Sequence, residues 1–231
     1  MKAMILAAGI GSRLRPLTDN RPKCLLEVQS LTLLEHTIRY LIYHGVDAII
    51  INVHHLAGQV ISFLNDHDHF GIDIRISDEQ DALLDTGGGL RKAGWFFADG
   101  QPFFLTASDV ITGLNLREMY AFHNERKALA TLAVKDRPTT RNLLFDNEDR
   151  LCGWLNNQTG ETRWSVRVEA PTDRTATSNR TATGMAIRTA IRIATETAIR
   201  TAAGTCQIRT GRPSRRSLIR FIRRRIVSGQ L

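Results

Sequence analysis

The stretch "ILAAGIGSRLRPLT", Ile5–Thr18, is an apolar run that breaks into two glycines and then presents two arginines and a proline. Met1–Ala8 reads as a strand buried on both faces, ended by Gly9. Gly9 and Gly11 let the backbone approach a ligand and take positive φ. Free N–H groups in such a turn bind phosphate oxygens. Arg13, Arg15, Arg21 and Lys23 follow at once, and fixed cations beside a glycine turn suit a polyanion such as a triphosphate. A structural turn with solvated arginines is the competing reading. Two familiar phosphate loops do not fit. The dinucleotide fingerprint fails at Leu14, three residues after Gly11, and the P-loop fails because no Gly-Lys pair occurs.

Outward from this loop the chain alternates strand and helix. Residues 31–44 place Leu34, Ile38, Leu41 and Ile42 at helical spacing, with Gly45 as the stop. "DAIIINV", 47–53, is a buried strand, 57–65 a helix with Val60, Ile61 and Leu64 inward, and "IDIRI", 72–76, an alternating strand. A short helix is expected over 90–97, a strand over 102–108 ending at Asp109, a helix over 115–126 and a strand over 128–134. "NLLFD" and "RLCGWL" read as two strands around a turn at 146–149. Repeated β-α-β units predict an α/β, Rossmann-like, mainly parallel sheet flanked by helices. Ligands bind such sheets at the carboxyl ends of strands, here the loops after Ala8, Ile76 and Ser108.

Composition divides the chain in two. Residues 1–161 hold 16 Lys and Arg against 20 Asp and Glu, a net of −4. Residues 162–231 hold 15 Arg, no Lys and 3 Asp and Glu, a net of +12, so the overall +8 belongs to the tail. No apolar run approaches the ~18 residues that span a bilayer. The N-terminal run reads as a strand, not a signal peptide. Cys24, Cys152 and Cys206 are widely spaced and form no metal motif or disulfide framework, so a reducing cytoplasm is expected. His54-His55 and "HDHF", 67–70, read as surface histidines away from the site, and "DEQD", 78–81, as a solvated loop. Trp95, Phe96 and Phe97 read as core and helix-end packing.

"LAAGIGSRLRPLT" followed by "RPK" resembles the signature of the sugar-1-phosphate nucleotidyltransferases. "LLDTGGGL", 83–90, is similar to that family's second glycine loop, which lies against the base and sugar. "FLTASDV", 104–110, falls where the family has a strand ending in a metal-binding aspartate. The Asp-Thr-Gly-Gly-Gly form looks closest to N-acetylmuramate-1-phosphate uridylyltransferases and mannose-1-phosphate guanylyltransferase-like proteins. The resemblance covers residues 1–161 and implies a reaction: an NTP, UTP or GTP, and a sugar 1-phosphate give an NDP-sugar and pyrophosphate. It implies nucleotide contacts at Ala7, Ala8, Gly9, Gly11, Gly87, Gly88 and Gly89. It implies catalytic phosphate contacts at Arg13 and Lys23, and Mg²⁺ on Asp109. The alternative role for Asp109, capping the helix at 115–126, places it several residues too early.

Nothing after about Thr162 matches the family. The 70-residue segment 162–231 has 12 Thr, 9 Ala and two aromatics, and repeats Ala-Ile-Arg-Thr imperfectly. The resemblance implies a further stretch with a second face of the sugar pocket and a second metal aspartate in a W-x-D-x-G context; no such motif follows residue 161. The chain therefore reads as a nucleotidyltransferase core, 1–161, with its C-terminal part truncated or replaced by a low-complexity tail, 162–231. Three readings of the tail stand: a basic arm, a disordered extension, or an out-of-frame translation, which the lack of Lys beside so many Arg favours. A helix with Ile187, Ile191, Ala194 and Ala198 on one face is expected over 186–203, weakened by its threonines. If the tail is genuine, the rival function is a nucleotide-binding module whose basic arm binds nucleic acid, with a steep salt dependence.

Overall fold

Strand β1 (Lys2–Leu6) lies between two parallel neighbours in the computed structural model of the chain, which describes residues 1–134, 139–145, 151–164, 192–194 and 218–222. On one edge it pairs with β4 (Ala48–Val53) and on the other with β6 (Phe103–Ala107), so that Met4 is in register with both Ile50 and Leu105. β5 (Asp73–Asp78) pairs in parallel outside β4. A two-stranded hairpin, β2 (Glu27–Val28) and β3 (Leu31–Thr32), precedes the first helix.

Side chains of the central strands alternate between two cores. Ala3, Ile5, Ile49, Ile51, Val53 and Phe104 face one side, covered by α1 (Leu33–Tyr43), α2 (Ala57–Asp66) and α4 (Leu116–Arg126). Met4, Ile50, Phe103 and Leu105 face the other, covered by Leu90 of α3 (Asp85–Lys92) and by Ala93, Phe96 and Phe97 of a 3₁₀ turn. Burial on both faces is why these strands are unbroken apolar runs. β5 is an edge strand: Ile74 and Ile76 join the first core while Asp73 and Arg75 are exposed, hence its alternation. Thr32 caps α1, its hydroxyl accepting from Glu35 N at 3.0 Å. Gly45, at φ +90°, lets the chain turn out of α1 toward β4.

β7 (Ala130–Val134) follows α4, and β8 (Arg141–Phe145), β9 (Leu151–Asn156) and β10 (Thr162–Trp164) form a separate antiparallel sheet. The guanidinium groups of Arg141 and Arg163 each sit 5.5 Å from the Trp154 ring. β11 (Arg192–Ala194) runs antiparallel between β6 and β7, and β12 (Leu218–Ile222) antiparallel outside β7. The large sheet thus has the order β12-β7-β11-β6-β1-β4-β5.

Four expectations are corrected. The triple glycine is not a loop: Asp85–Lys92 is helical, and the helix expected over 90–97 is its end plus the 3₁₀ turn. Glycine disfavours helix by about 1 kcal/mol a residue; here packing of Leu90, Phe96 and Phe97 on the second core overrides propensity. Trp95 is 62% exposed, because the turn directs Phe96 and Phe97 inward and Trp95 away. Residues 192–194 are strand, not helix, since the backbone there meets the hydrogen-bonding edges of β6 and β7; the rest of the expected helix at 186–203, the turn at 146–149 and Cys206 lie outside the described residues. Cys152, fully buried in β9, is disulfide-bonded, whereas Cys24 is free. Among the described residues no helix is long and apolar enough to cross a membrane.

Two outcomes follow from this packing. Phe97, fully buried and stacked 3.7 Å from Phe103, is central to the second core; Phe97→Ala is expected to lower unfolding free energy by about 3–5 kcal/mol in urea denaturation. His123 is buried with Nδ1 3.0 Å from Thr131 Oγ1, and burial holds its pKa below the ordinary 6.5. The unfolded chain then binds the proton more readily, so stability is full above that ordinary value and falls as pH drops through it. His44, lowered by burial and by Arg117, adds to the same slope. Denaturation midpoints are expected to fall between about pH 7 and pH 5, and His123→Gln to flatten that fall.

Candidate active site

The chain leaves β1 toward β4 and β5 on one side and then crosses to β6 on the other. The strand order reverses between β1 and β6, and the carboxyl ends of strands at such a switch point are where parallel sheets take their ligands. Ser108 N donates to Leu6 O at 3.1 Å and holds the two strand exits together.

The first loop closes on itself. Gly11 has φ +71°, and a Cβ there would lie 3.0 Å from Thr18 Cγ2 and 3.1 Å from Lys23 Cβ. Leu14 N donates to Gly11 O at 2.8 Å, and the Thr18 hydroxyl to the same oxygen at 3.0 Å. The loop is thereby folded back so that Lys23 reaches the glycine turn. Gly9 does not take the positive φ expected of it; the reversal is made at Gly11 alone, and a Cβ on Gly9 would meet open space.

The four cations of this region differ. Arg15 pairs with Asp19 at 3.3 Å and Arg21 with Glu27 at 3.2 Å. The Lys23 ammonium pairs with Asp109 Oδ2, and both side chains are half-buried. Arg13 is exposed, and its guanidinium has no hydrogen bond or ion pair among the described residues. The structure thus brings Lys23 and Asp109 together from 86 residues apart, one after β1 and one after β6. Capping of α4 falls to Asn115, whose Oδ1 accepts from Arg117 N and Glu118 N at 3.1 and 3.3 Å, so Asp109 is not the cap. Burial pushes the Cys24 thiol up to about 12, which makes it a packing group behind Lys23, not a nucleophile.

Ala8 is buried, and the Ala7 N–H donates to Asn52 Oδ1 at 2.8 Å. Asn52 Nδ2 donates to Glu79 Oε1 at 2.8 Å, and Leu84 N donates to Glu79 Oε2 at 3.2 Å. Glu79 N in turn donates to Val53 O at 2.7 Å. Glu79 is 1% exposed, so the acidic cluster at 78–81 is not simply a solvated loop: its carboxylate turns inward to accept these bonds. His54 Nδ1 lies 2.6 Å from Glu79 O, between the carboxyl ends of β4 and β5. The three glycines of α3 differ too. A Cβ on Gly89 would meet Glu79 Oε1 at 2.5 Å and Asn52 Nδ2 at 2.9 Å; one on Gly88 would meet Leu84 Cβ at 2.8 Å; one on Gly87 would meet nothing. Asn52 and Glu79 escaped the sequence reading, although Asn52 is the one polar residue in the strand "AIIINV".

Asp109 offers a hard carboxylate at a strand end, the donor type that Mg²⁺ takes. No group of three or more His, Cys, Asp or Glu is close enough to hold a metal among the described residues. A Mg²⁺ ion at Asp109 would therefore share its coordination with phosphate oxygens and water, the usual arrangement for that ion.

The family model described as Nucleotidyl transferase matches residues 2–143. The chain belongs to that family. It is 36% identical over 148 residues to a UTP–glucose-1-phosphate uridylyltransferase of Synechocystis, covering 60% of this chain and 38% of the relative. It is 40% identical over 111 residues to an N-acetylmuramate alpha-1-phosphate uridylyltransferase of Caulobacter vibrioides, covering 47% of this chain and 46% of the relative. The chain thus spans less than half the length of these relatives. Its fold is shared with HddC from Yersinia pseudotuberculosis, solved with GMP-PN (TM-score 0.62, 16% identity, 88% of this chain and 82% of that one), and with a UDP-glucose pyrophosphorylase solved with UDP-glucose (TM-score 0.62, 12% identity, 86% and 77%).

Substitution at the two loop glycines separates their roles. Gly11→Ala is expected to cost about 1–2 kcal/mol through its left-handed φ and the crowding at Thr18 and Lys23, and Gly9→Ala less than about 0.5 kcal/mol. Thermal unfolding of the two variants checks the difference.

Proposed function

We propose that this chain binds a nucleoside triphosphate, UTP or GTP, where the carboxyl ends of β1 and β6 meet and serves nucleotidyl transfer to a sugar 1-phosphate, giving an NDP-sugar and pyrophosphate. The observation that carries this reading is the meeting of the Gly11 turn with the Lys23–Asp109 pair at the switch point of the sheet, with Arg13 exposed in the same loop. Residues 1–161 are the nucleotide-binding core on this reading, and 162–231 are an addition to it.

The chemistry sets what the site must supply. A sugar phosphate is already an oxyanion and needs no strong base. The reaction needs in-line alignment at the α-phosphate and neutralisation of the departing pyrophosphate. Arg13, exposed and without a protein partner, presents a planar fork to phosphate oxygens. Lys23 is held in place by Asp109 and by the turn at Gly11, and its ammonium is a second fixed cation at the same strand ends. Gly9 and Gly87, where the space beyond the backbone is open, let the chain approach the nucleotide. Asp109 would hold Mg²⁺, which when bound supplies further neutralisation of phosphate charge.

Because the relatives are more than twice as long as the matched region, nucleotide binding is the primary readout. Calorimetric titration of the full chain with UTP and with GTP is expected to show binding that depends on Mg²⁺. Pyrophosphate release is expected to require a sugar 1-phosphate, tested with a panel of hexose 1-phosphates. Arg13→Ala and Lys23→Ala are each expected to lower kcat/KM by about 10²–10³-fold. Absence of binding to every nucleoside triphosphate would overturn the reading.

A further inference from the structure

Asn52 and Glu79 lie in neither glycine segment, yet their side chains join the two. The path runs from the Ala7 N–H to Asn52 Oδ1, from Asn52 Nδ2 to Glu79 Oε1, and from Glu79 Oε2 to the Leu84 N–H. It begins where the first loop leaves β1 and ends where α3, with its three glycines, begins. Glu79 forms no ion pair among the described residues, although it is almost fully buried. Burying a carboxylate is costly, and an apolar pair of the same size would hold two elements together at no such cost. What the carboxylate adds is direction: two acceptor oxygens fixed at one angle, each engaged by a different element. Gly89 packs directly on the pair, so the height of α3 above the sheet is set by these two side chains.

We infer that the Asn52–Glu79 pair is a positioning device that sets the spacing between the loop after β1 and the start of α3, and through that spacing the affinity for the nucleotide. The inference rests on the reading of these two segments as the nucleotide site. Neither residue touches the nucleotide; both act through the backbone of Ala7 and Leu84.

The test uses Glu79→Gln and the exchange variant Asn52→Asp/Glu79→Gln in the full chain. A glutamine at 79 has one acceptor where two are needed, so one of the two bonds is lost. In the exchange variant the aspartate accepts from Ala7 N–H and from the glutamine amide, and the glutamine oxygen accepts from Leu84 N–H, so every link is restored with the charge moved one position along. Two readouts are taken: calorimetric Kd for UTP and GTP with Mg²⁺, and amide hydrogen exchange at Ala7 and Leu84. Glu79→Gln is expected to weaken nucleotide binding about tenfold and to speed exchange at both amides while β6 stays protected. The exchange variant is expected to return Kd to within about threefold of the parent and to restore protection. An unchanged Kd in folded Glu79→Gln overturns the inference, as does an exchange variant no better than the single one. If Glu79→Gln does not fold, the exchange variant decides: protected Ala7 and Leu84 amides with parental affinity support the device, and their loss overturns it. A parent chain that binds no nucleotide, with exchange responding as expected, sinks the nucleotide reading and leaves the mechanical link between the segments standing.

Discussion

β1 must satisfy its backbone on both edges and bury its side chains on both faces, and the rest of the molecule is arranged around that demand. Its peptide groups pair with β4 and β6, and its residues alternate between the two cores. A one-residue slip would exchange Met4 with Ala3 and Ile5 between differently shaped cores, so the register is held by packing as much as by hydrogen bonds. Because the strand has neighbours on both sides, the chain must leave it in one direction and return in the other. That reversal falls at its carboxyl end, and the glycine turn sits there because it directly follows the strand.

The groups around this end of the sheet are held in two different ways. The Asn52–Glu79 path is buried and made of directed hydrogen bonds, so it is stiff and its geometry is specific. The ion pairs of Arg15 and Arg21 are exposed, where such pairs contribute about 0–1 kcal/mol. The Lys23–Asp109 pair lies between these extremes, half-buried and joining two loops.

Much of this was legible in the sequence, for physical reasons that can be named. The apolar runs at 1–8, 47–53 and 102–108 are long because they are buried on both faces, and doubly buried strands have no competing pattern. Gly45 marked the end of the first helix through capping chemistry that is local to a few residues, whereas the Thr32 and Asn115 caps came to light only in the structure. The loops after β1 and β6 could be chosen because ligand crevices of parallel sheets open at strand carboxyl ends. Three features were not legible. The helix at Asp85–Lys92 forms against its own glycines because Leu90 and the following phenylalanines find a core. Glu79 read as solvated because an acidic cluster ordinarily is. The positive φ of Gly11 and its absence at Gly9 depend on where Thr18 and Lys23 pack.

Local pattern alone was enough to specify the alternation of strands and helices, the glycine turn after the first strand with its following cations, and the divide in charge near residue 161. These follow from periodicity, capping and composition, which act over a few residues at a time. Which side chains meet is a matter of the folded chain. Lys23 and Asp109 are 86 residues apart, and Asn52 reaches Ala7 from 45 residues away and Glu79 from 27. Such pairs are set by the order of strands in the sheet, which long-range packing selects and local patterns do not encode.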